Sequence, residues 1–201
     1  MSRLVLASAS PRRSALLAAL GLDFEVVPSS ADEIFDGEPS KVVIHNACAK
    51  RDDVAVRLTE PAVVIAADTL VFLGGHVLGK PKDLDGARTM LARLSGRTHQ
   101  VLTGLAIVDT ANGRHSEGYE ATDVTFRHLT AEEIDHFARA VNPVDRAGAY
   151  TVDGPGSLLV ERYNGCYQNV LGLPMVRLDT MLRDFGHSLF EAMDGSRAIF
   201  L

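Results

Sequence analysis

The chain has 201 residues, 46% of them hydrophobic, which is enough for one sizeable core and too many for a disordered chain. Its formal net charge of −6 argues against nonspecific attachment to nucleic acid or an anionic membrane, so any positive site must be a local pocket. The opening Met1–Ala7 run reads as too short for a signal peptide, and no stretch approaches the ~20 apolar residues of a membrane span. Cys48 and Cys166 lie far apart without metal-type spacing. They read as free thiols, Cys48 a buried one, in a reduced, cytoplasmic protein.

In chain order, Leu4–Ala7 is a short apolar run that predicts a buried strand. Ser10 stands where an N-cap belongs and Pro11 at the first helical position, predicting a helix to Leu20 that stops at Gly21. Phe24–Pro28 reads as a strand, Ser29–Glu33 as a polar loop, and about Pro39–Leu58 as a helix carrying Lys50 off the centre of its apolar stripe. Ala62–Ala67, wholly apolar and partly β-branched, predicts a central strand ending at Asp68-Thr69. Leu70–Leu73 and His76–Leu78 around Gly74-Gly75 predict a hairpin. Asp83 caps a helix to about Leu94, with Gly96 as its stop. Two long strands, about Thr98–Asp109 and Arg114–Arg127, flank Asn112-Gly113, a type I′ turn signal. Thr130 with Glu133 is a capping box opening a helix to about Val141. A glycine-rich stretch from Ala147 to Gly156 leads into a predicted strand, Ser157–Arg162, and a turn at Asn164-Gly165. Pro174 opens a last helix ending near Phe185-Gly186, and the tail carries no element signal. No repeat, low-complexity tract or linker divides the chain, which reads as one α/β unit with a mixed sheet and a long hairpin arm.

The chemistry starts at Leu4–Arg13. Arg12 and Arg13 fall in the first turn of a helix, the wrong end for cations by roughly 0.3–1 kcal/mol each unless an anion compensates. Free N–H groups, the Ser8 and Ser10 hydroxyls and two guanidiniums there suit phosphate. Asp68, just past a dry strand, either holds a divalent ion, takes a proton from water, or caps the turn into Thr69. Glu33 is a second carboxylate or solvated surface, and Lys50 by itself reads as a solvated helix residue. Gly74–Lys80 fits the front of a P-loop, but Pro81 replaces the Mg²⁺-binding Ser or Thr and a hairpin precedes it. Lys80 remains a phosphate-binding candidate. Neither G-x-S-x-G nor H-E-x-x-H occurs, and the histidines show no zinc spacing. Cations at a helix mouth facing carboxylates suit phosphoanhydride cleavage.

Leu6–Arg13, Ala66–Thr69, Gly79–Pro81, Leu94–His99, Ala147–Tyr150 and Gly172–Pro174 occur in an order that resembles the Maf family, from about residue 3 to residue 183. The resemblance implies a Maf/inosine-triphosphatase-like α/β fold: one domain over residues 1–201, its central mixed sheet flanked by helices, with two lobes around a cleft. It implies a cytoplasmic nucleoside triphosphate pyrophosphatase, dependent on Mg²⁺, Mn²⁺ or Co²⁺ and homodimeric, with no nucleic-acid or membrane partner. Asp68 matches the family's proton acceptor. Ser8, Arg13, Glu33, Lys50 and Lys80 match its phosphate and metal sites, with Asp68 and Glu33 as metal ligands. Arg12 and Thr69 match positions tied to base choice. Gly148-Ala149-Tyr150 resembles the dTTP/UTP branch rather than the 7-methyl-GTP branch. Asp153, however, stands where that branch carries Gln, and a carboxylate cannot donate to a uracil or thymine carbonyl as an amide can. Two other readings carry different tests: a non-catalytic nucleotide-binding regulator of septum formation, and an interaction module using the apolar end Ala198–Leu201.

Overall fold

The computed structural model describes residues 3–199. Met1, Ser2, Phe200 and Leu201 lie outside the described residues, and with them half of the apolar end Ala198–Leu201 and the extremes of the predicted 1–201 domain. The order of elements is β1 (Leu4–Leu6), α1 (Pro11–Ala18), β2 (Glu25–Val26), α2 (Pro39–Ala55), β3 (Val63–Leu73), β4 (His76–Leu78), α3 (Leu84–Leu94), β5 (Thr98–Asp109), β6 (His115–Phe126), α4 (Ala131–Val141), β7 (Val160–Asn164), α5 (Tyr167–Leu171), α6 (Met175–Arg183) and α7 (Leu189–Ala192). One mixed sheet runs β2-β1-β3-β5-β6-β7, with β4 folded back on the far end of β3. β1 is parallel to both β2 and β3, while β3, β5, β6 and β7 are antiparallel in turn. β5 and β6 form the long hairpin arm, and the α/β class with a mixed sheet is as expected.

Alternation along β3 divides the core. Val64, Ala66, Leu70 and Phe72 face α2, where they meet Val42, Val43 and Val54. Val63, Ile65 and Ala67 face the opposite way, onto α1 and α6 through Leu17, Leu178 and Leu182. A further core gathers α3, α4 and the outer ends of β5 and β6 around Leu91, Leu94 and Phe126. The Thr130–Glu133 capping box forms in both directions, and Asp83 accepts from the Gly86 amide at 2.7 Å.

Several boundaries differ from expectation. The central strand does not end at Asp68 but continues for five more residues, because Asp68 and Thr69 keep their places opposite Gly104 and Thr103 in the β5 ladder. The β5–β6 connection is not a type I′ turn: only Gly113 has positive φ, at +75°, and Gly113 N donates to Asp109 O at 2.8 Å across a wider loop. The Asp109 carboxylate holds that loop open by accepting from Ala111 N and Asn112 Nδ2. Gly74-Gly75, with φ +59° and +80°, makes the tight β3–β4 turn instead. The strand predicted at Ser157 starts at Val160, since Gly154–Leu158 winds into a 3-10 turn. α5 and α7 are short helices that the sequence did not announce. Cys48 and Cys166 are unpaired and both are half-buried rather than buried.

Candidate active site

A notch in the sheet makes the site. β1 stops at Leu6, opposite Ile65, and β4 takes up the same edge of β3 only from Val71 onward. Between them Ala66–Leu70 keep strand partners on the β5 side alone, among the described residues. That open edge floors a cleft of about 1090 Å³, with the N-terminus of α1 on one wall and β4, Lys80 and the Arg146–Val152 segment on the other. The ends of parallel strands are where α/β sheets gather ligands, so the notch falls where physical chemistry expects it.

The strand's alternation sends its two polar residues to opposite faces. Asp68 points to α2. Its Oδ1 accepts from Lys50 Nζ at 2.6 Å and its Oδ2 from Asn46 Nδ2 at 3.0 Å, with the residue only 3% exposed. Lys50 Nζ also lies 2.6 Å from Glu33 Oε1, so one ammonium joins both carboxylates. Lys50 is therefore no solvated helix residue; one turn after Asn46, it is turned into the site. Each Asp68 oxygen retains a lone pair for water or a cation.

Thr69 points to the α1 side. There Arg13, buried, donates from Nε to Gly172 O at 2.8 Å, from Nη1 to Ser8 Oγ at 3.0 Å and from Nη2 to Thr69 Oγ1 at 3.0 Å. Burial pushes the Arg13 pKa down, the nearby carboxylate of Asp68 pulls it up, Arg12 pushes it down and Glu33 pulls it up; the guanidinium stays charged. Three of its five N–H groups are spent on the protein, which leaves two for a ligand. Ser10 occupies the N-cap position, but its side chain does not cap, so the first-turn N–H groups stay available to an anion.

Eight of the nine predicted site residues line this cleft: Ser8, Arg12, Arg13, Glu33, Lys50, Asp68, Thr69 and Lys80. Arg12 and Lys80 have no ion pair or hydrogen-bonding acceptor among the described residues, so their charges are open to a ligand. Asp153 is not among the lining residues: Val152 turns in to the core, and the next side chain turns out to bond the Thr151 hydroxyl. Sequence reasoning missed Asn46, whose signal is its place one helical turn before Lys50. It also missed Arg146, which stands directly ahead of the Ala147–Tyr150 motif and lines the cleft.

Among the described residues no three His, Cys, Asp or Glu side chains come together as a metal cage. Two carboxylates facing a cleft of this size fit a different case, a hard divalent cation bound through one or two carboxylates plus substrate phosphate oxygens.

A family model described as Maf-like protein matches residues 3–185. A dTTP/UTP pyrophosphatase of Moorella thermoacetica is 49% identical over 188 residues, 92% of this chain and 96% of its own length. Another, of Caldicellulosiruptor bescii, is 44% identical over 196 residues, 95% and 98% of the two chains. Among solved structures, a HAM1 protein from Coxiella burnetii is 20% identical with a TM-score of 0.44, over 63% of this chain and 73% of that one.

Proposed function

The chain belongs to the Maf family, and from that premise we propose that it is a pyrophosphatase of nucleoside triphosphates, with dTTP and UTP as its substrates. The observation that carries this reading is the buried Asp68 carboxylate, held by Lys50 and Asn46 at the floor of a cleft whose wall is an uncapped helix N-terminus. Asp68 takes a proton from water as the oxygen attacks the α-phosphorus. The bond to the β-phosphate oxygen breaks, leaving nucleoside monophosphate and pyrophosphate. Lys50 orients Asp68, and Arg12, Lys80 and the α1 N–H groups bind phosphate oxygens. Ser8 and the two spare N–H groups of Arg13 complete that wall. Glu33 and Asp68 are the residues that would hold Mg²⁺, Mn²⁺ or Co²⁺, which when bound offsets charge developing on the phosphates. The uracil or thymine lies toward Thr69 and Arg12, and Asp153 acts on base choice only from outside the cleft wall. Homodimerisation and cytoplasmic residence belong to the same reading. The unpaired Cys48 and Cys166 suit a reducing compartment, and sedimentation equilibrium reads the dimer.

The test is pyrophosphate release from a panel of UTP, dTTP, CTP, GTP and 7-methyl-GTP with each metal. We expect UTP and dTTP to lead, and Asp68→Asn to cut turnover by roughly 10²–10⁴-fold. Undiminished release from that variant removes Asp68 as the base. Nucleotide binding without release under any metal would favour a regulator instead.

A further inference from the structure

Asn46 is fully buried on α2, and both hydrogens and the oxygen of its amide are engaged. Oδ1 accepts from Ile34 N at 2.9 Å, while Nδ2 donates to Ile34 O at 2.9 Å and to Asp68 Oδ2 at 3.0 Å. This arrangement has only one orientation. Exchanging O and N would set the amide oxygen against a carbonyl and a carboxylate, and the NH₂ group against an N–H. The side chain thus pairs with Ile34 as a neighbouring strand would, through both of its backbone groups, and uses its remaining hydrogen on Asp68.

The consequence reaches Glu33. Residues 32–37 belong to no helix or strand, and among the described residues Ile34 is where their backbone is bonded. Glu33 is the adjacent residue, and its carboxylate meets Lys50 at 2.6 Å. Asn46 and Lys50 stand four residues apart on one face of α2. The amide fixes one oxygen of Asp68 and the backbone beside Glu33, while the ammonium fixes the other oxygen of Asp68 and the carboxylate of Glu33. We propose that Asn46 is a positioning residue for catalysis, a buried clamp that ties the Glu33 loop to Asp68 so that the two carboxylates act in one geometry. This rests on the reading of Asp68 as the base, because a clamp on an idle carboxylate would have no kinetic effect.

Asn46→Leu keeps the side-chain size and removes all three bonds. Its kcat for UTP should fall roughly 10- to 100-fold, since a displacement near 1 Å costs on that order. KM should change less than about threefold, and each chain should still bind one α,β-methylene-UTP by calorimetry, a stoichiometry that general misfolding would lower. Hydrogen exchange at the Ile34 amide should accelerate at least tenfold in the same variant. A parental kcat, or a loss of activity matched by a loss of binding stoichiometry, overturns the proposal. Should Asn46→Leu fail to fold, Asn46→Ser gives the same readings. Asp68→Asn, assayed alongside, separates the two ideas. If it keeps parental turnover, the base assignment falls; if it is inactive while Asn46→Leu is parental, only the clamp falls.

Discussion

The guanidinium of Arg13 shows what a single residue is asked to do here. Its three hydrogen bonds run to three separate chain segments: Ser8 after β1, Thr69 in β3 and the Gly172 carbonyl after α5. A planar fork reaches acceptors set around three separate nitrogens, whereas an ammonium offers its three N–H groups from a single point. Arg13→Lys should therefore cost about 2 kcal/mol of stability in urea denaturation, because hydrogen bonds to a buried charge are among the stronger ones. It should also weaken substrate binding through the two N–H groups left facing the cleft. Changed binding with unchanged stability would mean that the three protein acceptors hold nothing. Much of this was legible: a Ser-x-Ser-Pro-Arg-Arg run after an apolar strand announces an anion-facing helix mouth. Arg13's commitment to Gly172 was not, because no local pattern links residues 159 positions apart. Asn46 escaped for a related reason, since a polar residue in a helix reads as solvent-facing until the partner across the sheet is known.

At the scale of elements, the approach of α2 to the sheet decides whether Lys50 and Asn46 reach Asp68. The contact is close at Gly104, which pairs with Asp68 in the β3–β5 ladder and faces the same helix. A Cβ there would overlap the Val43 carbonyl and come within 2.8 Å of Ile44 N, atoms of the α2 backbone that cannot rotate away. Gly104→Ala should therefore push α2 off the sheet. We expect a loss of about 1–3 kcal/mol, the usual range for overpacking, with the thermal midpoint falling accordingly. Turnover should fall further than the unfolded fraction explains, when assayed well below the midpoint, because the helix carries two partners of Asp68. Equal losses would show that α2 docks elsewhere. The strand holding Asp68 is also where local pattern misled. A carboxylate after six apolar residues looks like a strand end, and it is the unbroken β5 ladder from Asp68–Gly104 to Phe72–Gln100 that keeps the strand going. Capping signals at Asp83 and Thr130 were decisive because they act within four residues; the 3-10 turn after Gly154 and the five-residue α5 had no comparable signal.

Across the whole molecule, β3 and β5 run through both the core around α1 and α6 and the core around α3 and α4, and two shared strands predict that the two cores unfold together. A perturbation deep in one lobe should then register as global stability. His99 supplies such a perturbation. It is buried against Phe126 and Tyr150, with Nε2 2.7 Å from the Tyr150 hydroxyl and Nδ1 without a partner among the described residues. Burial lowers its pKa to about 4, and among the described residues no carboxylate bonds the ring to accept from its protonated form. Above pH 6.5 the ring is neutral in both folded and unfolded chains, and stability is at its full value. Below that, the unfolded chain takes the proton first, so stability falls steadily until the folded ring also titrates near pH 4. The total loss is about 3 kcal/mol as the pKa moves from 6.5 in the unfolded chain to about 4 in the folded one, which follows from linkage. Exposed carboxylates whose pKa is lowered, such as Asp53, weaken the fold only below their own unfolded values, at more acidic pH. The window between 6.5 and about 4.5 thus belongs to His99. Urea denaturation at pH 7.5, 6.0, 5.0 and 4.5 should show the decline in the parent and a nearly flat response in His99→Gln. The same decline in both proteins would assign the acid sensitivity to another group and leave His99 a passive part of the α3–α4 core.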